Sequence, residues 1–79
     1  MTANFAKRMV IDKQIMAGKP VIRGTRIPVY AIVKRFAEGW TIEKVLEDYP
    51  RLTKEDIYAA LEYSAEVLKD EELINIAQK

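Results

Sequence analysis

Apolar and polar positions follow two different rhythms along this chain. Up to about residue 28 the apolar residues come in short, β-branched runs, Met9-Val10-Ile11 and Val21-Ile22, set apart by turn formers. That pattern predicts two small strands, either of which has the edge needed to pair with another chain. From residue 29 the spacing becomes helical. Val29, Ile32, Val33, Phe36 and Ala37 predict a first helix that starts at Pro28 and stops at Gly39, with Lys34 and Arg35 at its negative end. Thr41 is a natural N-cap for a second helix, with Glu43 in the first turn and Ile42, Val45 and Leu46 facing inward. Pro50 forces Tyr49 out of helical geometry and ends this helix by about Asp48. Thr53 then caps a third helix, with Glu55 and Asp56 at its positive end and Ile57, Ala60, Leu61, Ser64, Ala65 and Leu68 as the buried stripe.

These elements predict a mainly α fold: a three-helix helix-turn-helix core, homeodomain-like or winged-like, over residues 29–68. A short N-terminal β arm with its turn segment occupies residues 1–28, and a C-terminal helical extension or tail occupies 69–79, within one domain. Short turns between helices are common in small α-helical proteins, so the outline alone does not establish DNA binding. The outward positions expected for the third helix, Glu55, Asp56, Glu62 and Glu66, also repel phosphate and make that helix a poor groove reader.

The densest punctuation lies in Gly18-Lys19-Pro20-Val21-Ile22-Arg23-Gly24-Thr25-Arg26-Ile27-Pro28-Val29, which reads as two tight turns leading into the first helix. Two uses fit it: a rigid entry arm whose apolar residues join the core, or a cationic surface for phosphate or a partner. In the second, Lys19, Arg23 and Arg26 supply charge, and the main-chain N–H groups of Gly24 and Thr25 add to it.

Seventy-nine residues make one domain with a modest core, which a second chain would help to bury, so a homodimer is expected. No cysteine is present, which fits a reducing compartment. No run is long enough to span a bilayer and none resembles a signal peptide, so the expected location is cytoplasmic. The chain also lacks histidine, which removes the usual zinc ligands along with cysteine and the commonest general base. Its one serine, Ser64, has no histidine to activate it. Glu43/Glu47 and Glu62/Glu66, each four apart on a helix face, have spacing that suits magnesium but fit solvated faces more simply. The expectation is a binding protein with no catalytic residues, no metal site and no cofactor.

The formal net charge of +1 hides a division. Residues 1–35 hold eight cations against Asp12 alone, a balance of +7, whereas residues 36–79 hold five cations against eleven carboxylates, −6. Such a split suits two partners of opposite charge, or one face of the chain meeting the opposite face of its copy. Trp40 is expected to plug the junction of the first two helices, with an exposed partner anchor as the alternative.

Ile11-Asp12, the Gly18–Val29 run, Gly39-Trp40-Thr41-Ile42-Glu43, Tyr49-Pro50-Arg51-Leu52-Thr53 and Ala59-Ala60-Leu61-Glu62-Tyr63 together resemble the bacterial and archaeal domain of unknown function family 433 (DUF433) over roughly residues 9–68. That family is grouped with helix-turn-helix proteins, and many members look like VapB-type antitoxins encoded beside a small PIN-like nuclease. The resemblance therefore implies an antitoxin of a type II toxin-antitoxin pair, which neutralises such a ribonuclease by direct binding and binds operator DNA as a dimer. The family has no catalytic residues to carry over. The candidate DNA contacts are Lys19, Arg23, Gly24, Thr25 and Arg26. The candidate nuclease contacts are Glu62 and Glu66 with Leu73, Ile74 and Ile76 as apolar anchors, though the basic arm is an alternative route to the nuclease carboxylates. A plain DNA-binding regulator and a small dimeric adaptor without nucleic acid are the competing readings.

Overall fold

A computed structural model describes residues 4–69. A 3₁₀ turn over Asn4–Arg8 leads into strand β1 (Met9–Val10); strand β2 (Val21–Ile22) and helices α1 (Val29–Ala37), α2 (Ile42–Asp48) and α3 (Lys54–Lys69) follow. The result is mainly helical, with a two-stranded antiparallel sheet near the N-terminus in which Met9 pairs with Ile22 and Val10 with Val21. Both predicted strands are present, and they pair with each other. Val21 also bridges Pro28, so β2 is flanked on both sides.

The helix boundaries follow from their caps. Pro28, extended at φ −74° and ψ 147°, is the N-cap of α1 rather than its first residue. At the other end Gly39 takes φ +93°, which lets its N–H reach the Phe36 carbonyl (3.0 Å) and the Trp40 N–H reach that of Arg35 (3.0 Å). That paired closure is a Schellman motif. The Thr41 hydroxyl accepts from the Lys44 N–H at 3.1 Å and caps α2. Thr53 and Asp56 cap α3 reciprocally: the Thr53 N–H donates to Asp56 Oδ2 (3.0 Å) and the Asp56 N–H to Thr53 Oγ1 (3.1 Å). This is a capping box with aspartate in the place of glutamate.

Asp56 departs from its expected outward position. It is 8% exposed, and Arg8 Nη1 donates to its Oδ1 at 3.0 Å. The ion pair joins the N-terminal turn to the start of α3, and Phe5 meets Tyr63 edge-on further along, with ring centroids 5.8 Å apart. Because the N-terminal segment covers this side of α3, the buried face of the helix is rotated from the predicted stripe. Ile57, Ala59 and Ala60 are buried, whereas Leu61, Ala65 and Leu68 are exposed and Ser64 is half-buried. Ile57, Ala59 and Ala60 join Met9, Ile22, Val29, Ile32, Val45 and Leu52 in one core. Among the described residues no helix is long and apolar enough to cross a membrane.

Candidate functional site

The Gly18–Val29 run opens at the end of a tight kink over Met16–Gly18 and contains a second turn over Ile22–Thr25, and each fixes what its polar groups can do. Asp12 opens the approach: its Oδ1 accepts from the Gln14 N–H (2.8 Å) and its carbonyl from the Ile15 N–H (2.8 Å). Met16, Ala17 and Gly18 then sit consecutively in the left-handed region, at φ 51°, 56° and 85°. Only the glycine holds that conformation without strain. This kink closes with the Lys19 N–H on the Met16 carbonyl at 3.1 Å and delivers Pro20 to β2, where its carbonyl accepts from the Val29 N–H at 2.9 Å.

The second turn spans Ile22–Thr25. The Thr25 N–H donates to the Ile22 carbonyl (3.0 Å), and Gly24 at the third position has φ +84°. These are the marks of a type II turn, which needs a positive φ there. The Thr25 hydroxyl donates to the same carbonyl (2.8 Å) and accepts from the Ile27 N–H (3.0 Å). Both polar groups of Thr25 are thus committed to the turn, and its N–H is unavailable to a phosphate.

The five candidate DNA contacts separate accordingly. Arg23 lies along the arm: its Nε donates to the Lys7 carbonyl at 2.8 Å and its Nη2 to the Met9 carbonyl at 3.1 Å, tying the turn to the N-terminal segment. Lys19 extends over the Tyr30 ring, with Nζ 5.8 Å from its centroid. Arg26 is exposed and has no partner among the described residues. The turn also leaves Gly24 exposed beside it.

At the junction of α1 and α2, Trp40 is half-buried against the core and lies between two cations. The Arg35 guanidinium carbon is 4.9 Å from the ring centroid and Lys44 Nζ 5.3 Å. Arg35 also donates to the Tyr49 hydroxyl (3.3 Å) and pairs with Glu38 (3.4 Å). The Tyr49 hydroxyl, more than Glu38, holds the Arg35 pKa above its already high ordinary value. Trp40 thus fills the junction, as expected, and the cations that flank it were not legible from the sequence. Helical spacing alone does not show that Arg35 and Lys44 close on one ring.

On α3, Glu66 is exposed and pairs with Lys69 at 3.3 Å, while Glu62, one turn earlier on the same face, is half-buried. Leu73, Ile74 and Ile76 lie outside the described residues. Among the described residues no three carboxylates converge on a common point. A groove of about 540 Å³ lies between α1 and the second half of α3. Its apolar walls are Pro20, Tyr30, Val33, Tyr63, Val67 and Leu68, with Lys19 and Lys34 at the rim. The spacing of Tyr30, Val33, Val67 and Leu68 identifies two apolar helix faces, but not that they remain uncovered.

The DUF433 family model, a protein of unknown function, matches residues 9–64, most of the chain. The chain belongs to the DUF433 family. A DUF433 member from Anabaena variabilis, solved by crystallography, superposes with a TM-score of 0.72 at 36% identity, over 75% of this chain and 58% of the other. Protein y4eO of Sinorhizobium fredii is 44% identical over 50 residues, which are 63% of this chain but 23% of that protein. An Archaeoglobus fulgidus protein is 64% identical over 28 residues, or 35% of this chain and 78% of the relative. Both are named as uncharacterized proteins. The chain thus spans under a quarter of y4eO and a little over half of the solved DUF433 relative.

Proposed function

We propose that this DUF433 protein is the antitoxin of a type II toxin-antitoxin pair and blocks a PIN-like ribonuclease through the acidic outer face of α3. The observation that carries the reading is the pair of carboxylates on the second half of that helix, Glu62 half-buried and Glu66 exposed, beyond the buried Ile57, Ala59 and Ala60. A nuclease that binds RNA must present cations around its metal-binding carboxylates. A carboxylate-bearing helix face complements those cations and competes with RNA for them. Leu73, Ile74 and Ile76, further along the chain, are the apolar anchors of this contact in the proposal.

DNA contact in the same reading belongs to the arm and not to α3. Since Arg23 is committed to carbonyls, Lys19, Arg26 and the Gly24 N–H are the arm groups left to meet a phosphate. A helix-turn-helix use of α2 and α3 is disfavoured by the carboxylates at Glu55 and Glu62.

Co-expression with a small PIN-like nuclease, taken from a reading frame adjacent to the gene, tests the pairing. A complex is expected to co-purify at low salt, and reversing both charges in Glu62→Lys/Glu66→Lys should slow association while the thermal melt holds within about 0.5 kcal/mol, as for surface changes. Purification of the nuclease without the chain would remove the reading.

A further inference from the structure

The inward face of α3 outruns the body it packs on. Val67 stands seven residues after Ala60 and Leu68 eleven after Ile57, so each lies nearly above a residue that is 0% exposed. Yet Val67 is 43% exposed and Leu68 62%, and Tyr30 on the facing wall of α1 is 56% exposed. The groove between them is lined almost wholly by apolar surface, with Lys19 and Lys34 at its edge.

We infer that this groove seats a second copy of the same chain, in a two-fold dimer where the C-terminal end of each α3 lies across the groove of the other. The molecule carries both halves of the required match. The groove is apolar with a cationic rim; the end of α3 is apolar at Val67 and Leu68 and bears the exposed carboxylate of Glu66. The Glu66–Lys69 pair is solvent-exposed, and such pairs contribute little, so Glu66 exchanges its partner for Lys34 or Lys19 of the other copy at small cost. Because the same surface supplies groove and insert, one two-fold axis satisfies both at once and closes the assembly. This places the division of charge along the chain across a subunit boundary.

The inference shares Glu66 with the nuclease reading but not Glu62, and it is tested on the chain alone, so the two readings fail separately.

Sedimentation of the full chain across roughly 1–100 µM tests it without any other protein. The chain should dimerise. Leu68→Glu should raise the dissociation constant about 30-fold or more, as loss of a central anchor does, and leave the thermal melt of the subunit unchanged because Leu68 is exposed. Lys34→Glu should weaken the dimer, and adding Glu66→Lys to the same chain should recover part of the loss. The chain lacks cysteine, so an equimolar mixture of the single variants Val33→Cys and Leu68→Cys reports the geometry cleanly and should give a mixed disulfide dimer. A chain that stays monomeric throughout, a dimer indifferent to Leu68→Glu, or the absence of the mixed disulfide would each overturn the proposal. The first of these would point to residues 70–79 or a different protein as the occupant.

Discussion

Arg23 lies within one β-turn and Arg26 just after it, yet of the two only Arg23 is tied to the protein's own backbone through its guanidinium. Bonds from a charged donor to carbonyls are each worth about 1.5–3 kcal/mol when buried and less where water reaches them. Arg23→Ala should therefore lower stability by about 1–2 kcal/mol, read as a drop in the urea midpoint. Arg26→Ala should leave that midpoint in place. If the arm binds DNA, it should flatten the slope of log affinity against log salt by about one unit. Equal loss of stability in both variants would contradict the division drawn here. Asp56 offers a second test, since one carboxylate closes the cap of α3 and receives Arg8. Asp56→Ala should destabilise by about 2 kcal/mol or more, combining a lost cap with a half-exposed Arg8 left unpaired, and Thr53→Ala should cost about half as much. A thermal melt of Asp56→Ala that matches the parent would remove the link between the arm and α3.

At the scale of elements, strands and helices were legible because their signals are local. Thr41, Thr53, Gly39 and Pro50 each act on backbone within a few residues, and each is found where its chemistry places it. The rotation of α3 was not legible. Its cause is Arg8, 48 positions away from Asp56, together with Phe5 against Tyr63, and no periodicity within α3 carries that information. The left-handed kink was half legible: Gly18 announces a positive φ, whereas Met16 and Ala17 adopt one against their own preference. The surrounding turn bonds hold them there at a cost of about 1 kcal/mol or more per residue. Ala17→Gly should accordingly raise stability by up to about 1 kcal/mol in equilibrium unfolding, relief of strain exceeding the added chain entropy. A loss of stability in that variant would show that Ala17 is relaxed where it stands.

For the whole molecule, the split of +7 and −6 in the sequence gains meaning from where the groups lie. Two arm cations are tied within the molecule, Arg8 to Asp56 and Arg23 to carbonyls, while Lys19 lies exposed over Tyr30. Among the described residues, Asp56 is likewise bound to Arg8 and Glu66 pairs with Lys69 only at the surface, so Glu62 and Glu66 are the α3 carboxylates the proposals use. The candidate site was readable as residue types and not as a surface, because burial of Asp56 and exposure of Leu68 depend on contacts distant in sequence. RNA cleavage by a PIN-like nuclease that co-purifies with this chain, measured with increasing amounts of the protein, tests the proposed antitoxin function most directly. The full chain should abolish cleavage near stoichiometric ratio, and Glu62→Lys/Glu66→Lys should require roughly ten times more or greater, the loss of about 1.4 kcal/mol. Cleavage that continues unchanged at a saturating excess of the unaltered protein would contradict the account.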